Sequence, residues 1–215
     1  MSPAIVPGLV AATALAVVGL LLSERRGWRP GVWVAKPLAS ATFVAVAVSS
    51  GALATPYGQA VLAALALCWA GDVFLIPKGA GAFFLVGLVS FLLGHVGFAV
   101  AFVLCGPDPI WMAAAALLAL PPALIVLRWL HPHLSARMRA PVVAYVVVIS
   151  LVVVTAAGAA AATGRGAIAL GAGCFYLSDL HVARDRFVSR SFWNKSWGLP
   201  LYYAAQLILA TTVSL

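Results

Sequence analysis

The chain is a succession of long apolar runs, interrupted only briefly by charges, prolines and glycines. Read between those interruptions, it predicts eight helices, at about residues 4–22, 36–54, 59–77, 82–104, 110–128, 141–162, 166–183 and 198–215. Each is close to the roughly 20 residues that a helix needs to cross the hydrocarbon of a bilayer. The shortest interruption is Thr163-Gly164-Arg165-Gly166, read as a tight turn because an unbroken helix across it would be far too long for a membrane. These spans consume most of the chain and leave no room for a soluble domain, so residues 1–215 are read as a single all-α transmembrane domain.

Composition sharpens this reading. Hydrophobic residues make up 64% and charged residues 8% of the 215 positions, against roughly 25% charged in an ordinary soluble domain. A folded domain of this size still exposes about a third of its chain surface, so a mean hydropathy of +1.09 requires that much of the surface face lipid. Soluble enzymes, nucleic-acid-binding domains, disulfide scaffolds and disordered proteins are excluded together. The formal charge of +8 belongs to topology. Arg25, Arg26, Arg29, Lys36, Lys78, Arg128, Arg137, Arg139, Arg184, Arg186, Arg190 and Lys195 fall after odd-numbered spans, and only Arg165 falls on the opposite side. Basic loops stay in the cytoplasm, which predicts both termini outside and no nucleic-acid partner. Trp28, Trp33, Trp193 and Trp197 flank the same loops, where indole rings favour the interface. The charges follow the first apolar run, which argues against a cleaved signal peptide. The Ala-rich composition points to a bacterial cytoplasmic membrane. Cys68, Cys105 and Cys174 have no metal or redox spacing and read as small buried apolar groups.

Ionisable groups inside a span are costly and mark functional sites. Of the five acids, Glu24, Asp108 and Asp185 fall in loops or at span ends and read as surface charge. Asp72 and Asp179 each end an odd-numbered span, about 7–9 Å inside the nearest basic loop residue at the helical rise. Lys36, Tyr145, Tyr202, Tyr203 and Gln206 reach that depth from even-numbered spans, with Ser178, Asn194 and Lys195 nearby. Together they predict a polar cavity open to the cytoplasm. His95 lies near the midplane, either closing the inner end of the pocket or held by a backbone carbonyl. No two histidines are spaced i, i+3 or i, i+4, so no metal site is expected. The 107-residue offset between the aspartates would fit a parallel four-plus-four duplication.

In order along the chain, Lys36-Pro37-Leu38, Gly71-Asp72-Val73-Phe74-Leu75, Phe91-Leu92-Leu93-Gly94-His95, Tyr145, the run Gly171 to Asp179 and the run Pro200 to Gln206 stand on successive spans. With these residues the sequence resembles the YhhN family of multi-pass membrane proteins, which includes the animal lysoplasmalogenases. The resemblance implies an eight-helix hydrolase that cleaves the vinyl-ether bond of a lysoplasmalogen, or of a related ether lysolipid, to a fatty aldehyde and a glycerophospho head group. It also implies that Asp72 and Asp179, which match the family's two acidic motifs, are the catalytic pair, acting on a lysophospholipid drawn from membrane lipid.

The chemistry suits these residues without a cofactor. Vinyl-ether hydrolysis begins with protonation of the β-carbon, giving an oxocarbenium ion that water attacks. It needs one protonated acid and one ionised carboxylate, and two aspartates in a low-dielectric cavity suit that division. A first assignment makes Asp72 the donor and Asp179 the water-binding carboxylate, an order that the sequence does not decide. Lys36 would take the substrate phosphate, Tyr202 and Gln206 would orient water or substrate, and spans three, four and seven would wall the alkenyl chain. Two other classes fit the same residues. A small-molecule or lipid transporter would show helices broken near the midplane, and a structural protein would use the aspartates only to hold helices together.

Overall fold

The computed structural model describes residues 5–77 and 81–214; Lys78, counted above among the basic loop residues, and the outermost residues 4 and 215 of the first and last predicted spans lie outside them. The described chain is helical, with no strand among its residues. The helices are α1 (Val6–Arg26), α2 (Arg29–Ser49), α3 (Pro56–Phe74), α4 (Ala82–Leu104), α5 (Pro109–Leu130), α6 (Ala136–Thr163), α7 (Gly166–Ala183) and α8 (Phe192–Thr211). Short connections between long helices force neighbours to run antiparallel, and the strongest packing is within the pairs α1–α2, α3–α4, α5–α6 and α7–α8. The Thr163–Gly166 break is the expected tight turn: Gly164 closes α6 at φ 70°, a left-handed conformation that glycine adopts without strain.

Among the described residues, seven helices are long and apolar enough to cross a membrane. α8 has the length, at 20 residues, but carries Asn194, Lys195, Tyr202, Tyr203 and Gln206. It packs against α7, α2 and α1, which buries Asn194, Tyr202, Tyr203 and Gln206 and leaves Lys195 partly exposed. α5 lies at the other extreme, packed mainly on α6, with Ile110, Leu117 and Leu118 among the most exposed apolar side chains of the protein. Lipid is the solvent those residues suit.

Predicted and observed boundaries coincide for α4 and α7; α2 ends at Ser49 rather than 54, and three helices start well before their predicted positions. α2 begins at Arg29 rather than 36, α6 at Ala136 rather than 141, and α8 at Phe192 rather than 198. In each case the sequence reading placed the boundary beside Pro37, Pro141 or Pro200, whereas all three prolines lie inside their helices. Neighbouring helices re-satisfy the carbonyls that a proline frees. Lys36 is therefore carried on the second turn of a helix rather than on a loop.

Four small residues bring α3 and α4 together. A Cβ at Gly94 would stand 2.8 Å from Cys68 Sγ, and one at Gly71 would stand 2.6 Å from the Phe91 ring. Gly87 and Gly97 face Leu75 and Ala64 in the same way. In lipid, where helices gain no hydrophobic drive to associate, this close backbone approach supplies the van der Waals contact that holds them. It sets Asp72, next to Gly71, against the aromatic wall of α4.

Candidate active site

Asp72 is buried near the end of α3 that faces the basic loops and receives donors from two other helices. Lys36 of α2 places Nζ 3.1 Å from Oδ1 and also donates to the Asp72 carbonyl at 3.1 Å. Ser40, one turn further along α2, donates to Oδ2 at 2.6 Å, and Tyr202 of α8 donates to the same oxygen at 2.7 Å. Tyr203 stands behind this group, 3.2 Å from Ser40 Oγ and 3.4 Å from the Lys36 carbonyl. Ser40 has one hydrogen to give, and the charged carboxylate is its strongest acceptor within reach. An ammonium and two hydroxyl donors define the surroundings of an ionised carboxylate.

Asp179, on α7, has different neighbours. Tyr145 of α6 donates to Oδ2 at 2.9 Å, and His95 Nε2 of α4 lies 3.3 Å from the same oxygen. That imidazole is fully buried and stacked on Phe175 with ring centres 4.2 Å apart, and Nδ1 lies 2.7 Å from the Phe91 carbonyl. A carbonyl can only accept, so Nδ1 carries a hydrogen. A neutral ring then presents a bare lone pair at Nε2 to Asp179. The contact is favourable only if a proton lies between them, either on the carboxyl or on the ring. It is off the line of a formed hydrogen bond, so the histidine contacts the acid without fully engaging it.

Both acids line one cavity of about 310 Å³, together with Lys36, Tyr145 and Tyr202. Its apolar walls come from Phe84, Leu88 and Phe91 of α4 and from Val142, Val146 and Ile149 of α6. Val126 and Leu130 of α5, Leu180 of α7, Leu75 just past α3, Leu20 of α1 and Leu199 of α8 add to them. Residues of the third, fourth and seventh predicted spans are present as expected, and the contributions of α1, α5, α6 and α8 were missed. The remaining sequence candidates stand behind the cavity wall. Tyr203 supports Ser40, and Ser178 is buried with its hydroxyl donated to the Phe175 carbonyl at 2.7 Å. Gln206 is fully buried, and neither its amide oxygen nor its nitrogen has a hydrogen-bond partner in the structure. Ser40 was also missed, although it lies four residues after Lys36 and therefore on the same helix face. Among the described residues, no group of three His, Cys, Asp or Glu side chains could hold a metal ion.

The cavity reaches the basic end of the bundle. Glu24 in the last turn of α1 and Lys195 in the first turn of α8 meet there at 2.6 Å. Asn194 fixes the adjoining segment, accepting from Arg184 at 3.0 Å and donating to Asp185 at 3.1 Å and to the Ser189 carbonyl at 2.7 Å. Asp185 and Asp108 are committed locally: the first accepts from the Ser191 N–H, and the second caps α5 by accepting from the Ile110 and Trp111 N–H groups.

These features define a multi-pass membrane protein with two unlike carboxylates, Asp72 buried and Asp179 partly buried, on one largely apolar cavity. The chain belongs to the YhhN family, whose model matches residues 31–213. It is similar to a Bos taurus protein named lysoplasmalogenase TMEM86A, 27% identical over 215 residues that cover 97% of this chain and 87% of the relative. The human protein of that name is 27% identical over 164 residues, 74% of this chain and 66% of its own. No solved structure matches the chain.

Proposed function

We propose that the protein is a membrane-embedded hydrolase that cleaves the vinyl ether of a lysoplasmalogen or a related ether lysolipid. The observation that carries this reading is the pair of unlike carboxylates, one set among cationic and hydroxyl donors and one beside a phenol and an imidazole, on the wall of a cavity that suits a single alkenyl chain. The names of the relatives support the substrate class. The basic end of the bundle, which the charge distribution assigns to the cytoplasm, is where the polar head would lie.

The surroundings of the two acids favour roles opposite to the first assignment. Asp179, with His95 behind it, is the proton donor: the proton held between them passes to the substrate β-carbon, and the Tyr145 hydroxyl steadies the carboxylate left behind. Asp72, kept ionised by Lys36, Ser40 and Tyr202, faces the oxocarbenium ion and accepts a proton from the water that adds to the α-carbon. The hemiacetal then collapses. Its hydroxyl proton returns to Asp179, Asp72 protonates the departing glycerol oxygen, and aldehyde and alcohol leave with both acids reset. No group outside the chain is needed to balance the protons.

A transporter would use a similar cavity but should have helices broken near the midplane. α4 instead runs unbroken from Ala82 to Leu104, its glycines spent on packing against α3. The test is release of fatty aldehyde from lysoplasmalogen by detergent-purified protein, followed with a coupled dehydrogenase. Wild type should produce aldehyde, and Asp179→Asn should not while still melting like wild type. Aldehyde from Asp179→Asn at near the wild-type rate would overturn the mechanism.

A further inference from the structure

A second cavity of about 420 Å³ adjoins the first at the basic end of the bundle. Glu24, Lys36, Leu75, Asp185, Arg186 and Lys195 line both. The inner one is walled by apolar side chains, whereas the outer one is charged. Arg29, Lys36, Arg186, Arg190 and Lys195 face only Glu24 and Asp185 across it.

Most of these charges are already matched. Glu24 holds Lys195, Asp185 is taken by the Ser191 N–H and Asn194, and Lys36 is bound to Asp72. Among the described residues, three guanidinium groups are left without an acid. Arg29 donates to the Ile76 carbonyl, Arg186 lies over the Phe84 ring at 3.7 Å from its centre, and Arg190 is exposed. They converge from the start of α2, from the π-helical turn Arg184–Val188 and from the segment before α8. Topology asks only that cations lie on this side of the membrane and does not require three of them to enclose one space. The planar guanidinium fork matches the oxygens of a phosphate, singly or in pairs.

We propose that Arg186 and Arg190, with Arg29, form the receptor for the phosphodiester of the substrate head group, while the Lys36 charge is spent on Asp72. The assignment rests on the hydrolase reading for the identity of the lipid, though not for the presence of the anion site. With the phosphate in the outer cavity, the apolar chain extends into the inner one, and the ether oxygen comes to rest beside the two aspartates. The contrast between the two linings then distinguishes the two ends of a lysolipid by polarity.

Binding of non-cleavable ligands tests this directly. Purified protein in neutral detergent is titrated with 1-O-hexadecyl-glycerophosphocholine, with 1-O-hexadecylglycerol, which lacks the phosphate, and with inorganic phosphate. Wild type should bind the phospholipid at least about tenfold more tightly than the neutral ether, the difference expected of one charge-assisted contact. Arg186→Gln and Arg190→Gln should each remove most of that difference. Arg137→Gln, an exposed cation outside both cavities, should keep it. Arg190 has no hydrogen bond or ion pair to another described residue, so its variant decides the matter even if Arg186→Gln fails to fold. Equal affinity of wild type for both ethers, a difference that survives in Arg190→Gln, or an equal loss in Arg137→Gln would overturn the site. Inorganic phosphate binding as tightly as the lipid would overturn the head group as its ligand. The hydrolase reading fails separately, if the alkenyl analogue yields no aldehyde while the difference in affinity persists.

Discussion

Substitution of Asp72 tests whether that acid acts in catalysis or only in assembly, provided its cation is considered with it. In Asp72→Asn the Lys36 ammonium, whose side chain is 13% exposed, loses its one acid partner among the described residues. Breaking a buried pair from one side costs about 3–5 kcal/mol, and at about 2–4 °C per kcal/mol for a chain of this size the melting point should fall by about 6–20 °C. The loss arises from the stranded charge, since Ser40 and Tyr202 can still bond to an asparagine amide. Lys36→Met alone strands the carboxylate instead and should cost a similar amount. The double variant Lys36→Met/Asp72→Asn removes both charges and should recover most of the stability, because a buried ion pair replaced by apolar or neutral groups is often close to neutral overall. Activity should not recover. The assay pairs thermal unfolding, read from the seven tryptophans, with aldehyde release from lysoplasmalogen. A stable double variant with wild-type turnover would refute a catalytic Asp72. A single Asp72→Asn variant that melts like wild type would refute the energetic account of the pair.

Other perturbations separate the parts of the site. His95→Gln should lower kcat by about 10²–10⁴, the usual worth of a positioned acid–base group, with KM near wild type; a change in KM alone would make the histidine a packing residue. Tyr202→Phe removes one donor to the ionised Asp72, worth about 1.5–3 kcal/mol, and should slow turnover by roughly 10- to 150-fold without the melting loss of Asp72→Asn. Gly94→Ala drives a methyl group to 2.8 Å from Cys68 Sγ and 3.2 Å from the Ala64 carbonyl. The overpacking should cost about 1–3 kcal/mol, seen as a lowered melting point; an unchanged one would mean that α3 and α4 can separate freely.

Much of this arrangement is legible in the sequence, because lipid leaves few ways to fold a chain this apolar. Alternation of apolar runs and basic loops gives eight helices, and the rarity of carboxylates singles out Asp72 and Asp179. Proline misleads: in a soluble helix Pro37 would mark a boundary, but here it lies inside α2 and leaves Lys36 facing α3. Ser40 is ordinary in a membrane helix, and only the fold reveals it as a donor to Asp72. Ser178 lies at the right depth but faces the helix backbone, since depth along a helix says nothing of azimuth. The division of labour between the two acids needs distances, because it depends on which neighbour reaches each oxygen.

Each carboxylate is served by the helix preceding it in the chain and by a helix from the opposite half. Asp72 on α3 meets Lys36 of α2 and Tyr202 of α8, while Asp179 on α7 meets Tyr145 of α6 and His95 of α4. Asp72 to Asp179 and His95 to Tyr202 are both separated by 107 residues, and Lys36 to Tyr145 by 109. Two interlocked copies of a four-helix unit would cross in this way, each lending its last helix to the other's acid. Neither half could then assemble a working centre alone. In such a frame the backbone treats both aspartates alike, and their difference comes from a few side chains: an ammonium where the other half has a phenol, and an imidazole where it has another phenol. A symmetric scaffold with unlike occupants would be enough to turn two equivalent acids into a donor and an acceptor.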